Sequence, residues 1–187
     1  MNQMHEKLEE ISRQHQQYLG SHGYEHTERV IKLCRVIGLA LGADMDVLIP
    51  AAILHDIGRA NDNHAHYGAL MAREILNKHG YSSVDEICHA IEVHSFSVGG
   101  KAKTLEAKIL SDADKLDAMG AIGVYRVAQY GVEHECDLNE SVEHFHEKLL
   151  KLKDLLYTDE AKELAIKRHG FMLDYLEQLD KELKGLS

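Results

Sequence analysis

An all-α fold is what this chain predicts, and three observations predict it. Apolar residues recur at steps of three and four along almost every long segment. No stretch alternates apolar and polar as a half-buried strand does. The single proline, Pro50, falls near the first turn of a helix, where its missing N–H costs little. The 187 residues suit one domain, 1–187, of about eight or nine helices. A chain of that length can bury roughly two thirds of its unfolded surface without disulfides.

The elements follow in order. Residues 3–19 are polar with sparse apolar points, and Gly20-Ser21-His22-Gly23 breaks the pattern. From about 25 to 41, Val30, Leu33, Cys34, Ile37 and Leu41 form an apolar stripe. Gly42 and Asp44 separate this helix from 46–57, which is almost wholly apolar and stops at Gly58. Helices are predicted at about 64–79, 83–95, 102–117 and 119–133, punctuated by Gly80, Gly99-Gly100 and Gly120. The last two, about 140–156 and 159–184, carry the stripes Val142, Phe145, Leu149, Leu152, Leu156 and Leu164, Phe171 or Met172, Tyr175, Leu179. These C-terminal helices complete the bundle or build a homodimer; both stay open.

Composition narrows the function. Twenty-one Lys and Arg against 31 Asp and Glu give a net charge of −10, the wrong sign for sequence-independent binding to nucleic acid or anionic lipid. The longest purely apolar run, Val47 to Leu54, falls far short of the ~20 residues that span a bilayer. The polar start MNQMHEKLEEISRQHQQ is unlike a secretory signal, so a cytoplasmic protein without a membrane partner is expected. Cys34, Cys88 and Cys136 are odd in number and far apart, which fits neither a disulfide framework nor a cysteine zinc site.

Fourteen histidines are the compositional outlier. His55 and Asp56 end the most apolar helix, in Ile-Pro-Ala-Ala-Ile-Leu-His-Asp-Ile-Gly, where two ionisable groups are costly unless paired, hydrogen-bonded or bound to metal. Adjacent helical residues point about 100° apart, so both reach one ion only where the helix end opens onto a cavity. His26 opens the second helix, His94 closes another on the stripe of Ile87 and Ile91, and His66 sits at the start of 64–79. Asp112, Asp114 and Asp117 lie in Lys-Ile-Leu-Ser-Asp-Ala-Asp-Lys-Leu-Asp-Ala-Met-Gly. Five helices thus present His or Asp near an end, a donor set that suits a divalent ion such as Mn, Fe, Co, Ni or Zn. His22 and His64 stay undecided; the other histidines read as surface or packing residues.

The order His26 … His55-Asp56 … Asp114 resembles the H…HD…D signature of the HD-domain superfamily of metal-dependent phosphohydrolases. Its surroundings resemble the family too: His-Thr-x-Arg-Val, Ala-Ala-Ile-Leu-His-Asp-Ile-Gly and Ala-Asp-Lys-Leu-Asp-Ala-Met-Gly, with the signature core over about 22–123 and the helices at about 140–184 resembling those of small stand-alone bacterial members. The resemblance implies that His26, His55, Asp56 and Asp114 hold a divalent ion, manganese first, with Fe, Ni, Co, Mg or Zn as alternatives. Periodicity alone favours Asp112 or Asp117 over Asp114; the family register selects Asp114.

The implied reaction is hydrolysis of a small phosphomonoester or phosphodiester, a nucleotide first, by attack of a metal-bound hydroxide. Arg59 and Lys115 are the cations expected to meet the phosphate. His66 and His94 act as donors or hold a second ion, and Asp117 supports the site. The guanosine tetraphosphate hydrolases and deoxynucleoside 5′-monophosphatases of the superfamily carry an acid shortly after the HD pair; here stand Arg59 and Ala60. His55-Asp56-Ile57-Gly58-Arg59 is closer to the HDIG(K) of cyclic dinucleotide phosphodiesterases, but His94-Ser-Phe-Ser-Val-Gly-Gly replaces their second motif ending in Gly-Tyr-Pro. A di-iron oxygenase using His26, His55, Asp56, His66, His94 and Asp114, and a non-catalytic nucleotide-binding module, are the rival expectations.

Overall fold

The structure is a computed structural model that describes residues 3–16, 23–95 and 100–186. Among these there is no strand. Nine α-helices run α1 Gln3–His15, α2 Tyr24–Leu41, α3 Met45–Leu54, α4 His64–Lys78, α5 Val84–Glu92, α6 Leu105–Asp117, α7 Gly120–Glu133, α8 Leu138–Glu147 and α9 Asp159–Leu183, with a 3₁₀ helix at Leu149–Leu155. The all-α expectation holds. His22 and the loop residues 96–99, which the sequence reading also touched, lie outside the described residues.

The chain falls into two compact units, Met1–Asp114 and Lys115–Ser187. In the first, α3 packs against α1, α2 and α5. Surrounded on those sides, it has no face left for water, and every residue from Val47 to Leu54 is buried. Asp44 caps its start by accepting from the Asp46 N–H. The core of this unit takes Leu8 of α1, Val30, Cys34 and Ile37 of α2, Leu76 of α4, Ile87 and Ile91 of α5, and Ile109 and Leu110 of α6.

Two helices end earlier than periodicity predicts, and both endings matter. The expected helix 46–57 stops at Leu54; tight turns follow, in which Ile57 N donates to Leu54 O and Arg59 N to Asp56 O. The expected helix 83–95 stops at Glu92, leaving His94 beyond its end. In each case the histidine folds back on its own helix. His55 Nδ1–H donates to Ala52 O at 2.8 Å, and His94 Nδ1–H to Ile91 O at 2.6 Å. Carbonyls that a helix terminus leaves orphaned are thereby satisfied.

In the second unit α7 packs on α9 and α8, and the 3₁₀ helix packs on α8 and α9. The segment expected as one helix, 140–156, is two: α8, opened by a capping box between Asp137 and Glu140, and the 3₁₀ helix that buries Leu149 and Leu152. Of the two alternatives on α9, Met172 is fully buried and Phe171 is exposed. No helix among the described residues is long and apolar enough to cross a membrane.

Candidate metal centre

The two carbonyl caps decide which nitrogen of each ring carries the proton. A carbonyl only accepts, so His55 and His94 hold their protons on Nδ1, and their Nε2 atoms face inward as acceptors. Burial keeps both rings neutral: desolvation penalises the cation and lowers each pKa, against the opposing pull of Asp56 and Asp114. Neutral imidazole with Nδ1 tied to a backbone oxygen is the form that ligates metal.

Asp56 is the centre of the arrangement. Its Oδ2 lies 3.9 Å from His26 Nε2 and 4.0 Å from His55 Nε2. Its Oδ1 lies 3.9 Å from each of His64 Nε2, His94 Nε2 and Arg59 Nη1. His26 Nε2 is in turn 3.2 Å from His55 Nε2 and 3.2 Å from Asp114 Oδ1. His26, His55, Asp56 and His94 are buried; Asp114, His64 and Arg59 are part-exposed, so the cluster opens on their side.

Burial alone would raise both carboxylates, yet the surrounding histidines, joined at Asp56 by the permanent charge of Arg59, hold Asp56 and Asp114 well below the usual carboxylate range; for Asp114 the His26 hydrogen bond leads. Two anions and a ring of inward acceptors therefore share one space. His26 offers at most one Nε2 proton to His55 Nε2 and Asp114 Oδ1 together. Ligand atoms about 2.0–2.2 Å from one ion stand roughly 3–4.4 Å apart, the spacing seen here. Two groups among the described residues place their ligand atoms within 4.8 Å of one another: His26, His55 and Asp56, and Asp56, His64 and His94. Nitrogen and carboxylate oxygen together fit Mn, Fe, Co, Ni or Zn.

Of the residues singled out in the sequence, the structure brings together His26, His55, Asp56, Asp114, His94 and Arg59. It differs over His66. That ring is exposed and pairs with Glu92 Oε1 at 3.2 Å, and His64 stands beside Asp56 and His94 in its place. The two are about 200° apart around the start of α4, so only one of them can face the cluster. Lys115 and Asp117 fall in the second unit. Lys115 is buried with its Nζ 5.7 Å from the centre of the Tyr157 ring, and Asp117 accepts from Arg126 Nη1 at 3.1 Å.

Comparison with known proteins gives the family. The HD domain family matches residues 23–119. YpgQ of Bacillus subtilis (strain 168) is 34% identical over 176 residues, covering 88% of this chain and 86% of that protein. Its crystal structure in complex with ADP superposes with a TM-score of 0.82 at 30% identity, covering 98% of this chain and 100% of that one. A HD-superfamily hydrolase from Bacillus thuringiensis superposes with a TM-score of 0.76 at 30% identity, over 96% of each chain. Ribonuclease Y of Thermobifida fusca (strain YX) is 28% identical over 148 residues, which is 75% of this chain but only 25% of that enzyme. An all-α chain with His26, His55, Asp56 and Asp114 gathered in one cluster, matched by these relatives over nearly its full length, belongs to the HD domain family.

Proposed function

We propose that this chain is a divalent-metal-dependent phosphohydrolase that acts on a phosphoester of a small nucleotide. The observation that carries the reading is the ring of four imidazole Nε2 atoms, of His26, His55, His64 and His94, 3.9–4.0 Å from the Asp56 carboxylate, too distant for hydrogen bonds and suitably spaced for a cation. His26, His55, Asp56 and Asp114 would hold the ion. A divalent ion in such a site supplies a water acidified from about 15.7 to about 7 and polarises a phosphoryl oxygen.

The chain's own residues do the rest. His55 and His94 keep their protons on Nδ1, bound to Ala52 O and Ile91 O, so their Nε2 lone pairs stay directed at the site. Arg59, part-exposed at the open side, presents a permanent positive charge to an incoming phosphate. We assign Lys115 and Asp117 structural roles, on their contacts with Tyr157 and Arg126.

Two relatives support the substrate class. YpgQ has been crystallised with ADP, which argues for a nucleotide; the ribonuclease Y enzymes argue for phosphodiester chemistry on ribonucleotide material. Net charge −10 favours a small ligand over a long polyanion.

The test is a panel of nucleoside mono-, di- and triphosphates and a generic phosphodiester, given to protein stripped of metal and reloaded with Mn²⁺. Expected are hydrolysis that disappears on stripping and returns with the ion, and its loss in His55→Ala and Asp56→Ala. Turnover that survives stripping overturns the reading. Tight nucleotide binding without turnover under every metal would make the chain a binding module, and oxygen consumption by a two-iron form an oxygenase.

A further inference from the structure

The two groups that share Asp56 are not alike. On the Oδ1 side a permanent cation is already present. Arg59 Nη1 lies 3.9 Å from Asp56 Oδ1 and 3.3 Å from His64 Nε2. A guanidinium has no acceptor and stays charged, so its N–H donates to His64 and takes up the Nε2 lone pair. A metal ion bound by Asp56, His64 and His94 would need that same lone pair and the same carboxylate oxygen.

We propose that the Arg59 guanidinium occupies the second cation position of this centre, so that the chain holds one divalent ion, at His26, His55, Asp56 and Asp114, and that removing the guanidinium opens Asp56, His64 and His94 to a second. The inference rests on the metal-dependent reading above.

Charge balance supports it. Two carboxylates, Asp56 and Asp114, face the cluster, enough to neutralise one divalent ion. A second ion would bring two further charges against the fixed charge of Arg59 at contact distance, where repulsion remains strong even at an effective dielectric of about 20. Arg59 is also held in place by its backbone. Its N–H donates to Asp56 O at 3.1 Å, which fixes the side chain's origin one turn beyond Asp56. The neighbouring rings are fixed too, His94 by its cap on Ile91 O. Facing the open side, the same guanidinium can give a phosphoryl oxygen the positive contact that the second ion supplies in two-metal sites.

The test counts ions, independently of turnover. Metal-stripped protein is dialysed against Mn²⁺, bound manganese is measured per chain by elemental analysis, and electron paramagnetic resonance reports whether the ions are spin-coupled. Wild type is expected to hold one uncoupled ion. Arg59→Ala and Arg59→Gln are expected to hold two coupled ions, and Arg59→Ala with His64→Ala to return to one. Arg59 is part-exposed, so both single variants should fold, and circular dichroism confirms this. Wild type with two ions, or both Arg59 variants natively folded with one, overturns the proposal. Wild type that binds none overturns the metal-dependent reading itself, a distinct result.

Discussion

Gly58 and Gly68 approach each other backbone to backbone: a Cβ added to Gly58 would lie 2.8 Å from Gly68 Cα and overlap Gly68 N and His64 O. The turn after His55-Asp56 is thereby seated on the first turns of α4, which carry His64. Because the atoms in the way are backbone, they cannot swing aside. Gly58→Ala should cost about 1–3 kcal/mol, the usual price of overpacking, and should move His64 away from Asp56. Chemical denaturation measures the first effect. Gly68→Ala is the control: its Cβ would meet His55 O at an ordinary 3.4 Å, so its cost should be clearly smaller.

A buried polar chain ties the helix of His26 to the helix end of His55. Thr27 Oγ1 donates to Gln16 Oε1 at 2.8 Å, Gln16 Nε2 donates to Ser12 Oγ at 3.2 Å, and Ser12 Oγ donates to Ile53 O at 2.7 Å. Ser12→Ala removes an acceptor from Gln16 and a donor from the last turn of α3, in a site closed to water. We expect a loss of about 1–3 kcal/mol in urea denaturation, together with weaker Mn²⁺ binding as the two helix ends lose their tie. An unchanged denaturation midpoint would show the chain to be idle.

How far the site was legible follows from the same contacts. His26, His55, Asp56 and His94 stand out because each is an ionisable group at the end of an apolar helix, and sequence shows that directly. Asp114 needed the family register, since periodicity favoured its neighbours; the structure sets it 3.2 Å from His26. Between His66 and the undecided His64 the sequence does not choose, because the Gly58–Gly68 approach bears on the rotational phase of α4, and it is a tertiary contact that no local pattern encodes. Residues 140–156 misled for another reason. Leucines spaced by three, such as Leu149 and Leu152, satisfy a 3₁₀ period as well as an α period, so the break at Lys148 (φ −126°, ψ −62°) leaves no trace in the apolar stripe.

Acid should destabilise the metal-free protein in a defined window. His55 and His94 titrate below 6.5 in the folded chain because burial penalises their cations. As pH falls through 6.5 the unfolded chain takes up these protons while the folded chain does not. The unfolded state then binds more protons, so stability falls with decreasing pH until the folded-state values are reached. Each ring can contribute at most about 1.4 kcal/mol per pH unit in that window. Melting temperatures of the stripped protein should be flat from pH 8 to 7 and fall between 6.5 and 5, and His94→Gln should flatten the slope. Asp56 and Asp114, both depressed, add a second loss only below about 3.8.

Asp117 tests whether an acid at the end of the helix that carries Asp114 serves chemistry or packing. It is 1% exposed, and Arg126 Nη1 donates to its Oδ2 at 3.1 Å. Arg168 feels it as well: burial lowers the Arg168 pKa and the Asp117 charge opposes that shift, while the Arg168 guanidinium donates to Leu116 O. Arg126→Met takes away a principal countercharge and leaves a buried carboxylate with Arg168, which should hold the cost near the lower end of about 3–5 kcal/mol. If the pair is structural, adding Asp117→Asn to that variant recovers part of the loss, because the stranded charge is gone. Urea denaturation of the two single variants and the double measures this coupling. A double variant no more stable than Arg126→Met, with hydrolysis abolished in a natively stable Asp117→Asn, would return Asp117 to the reaction.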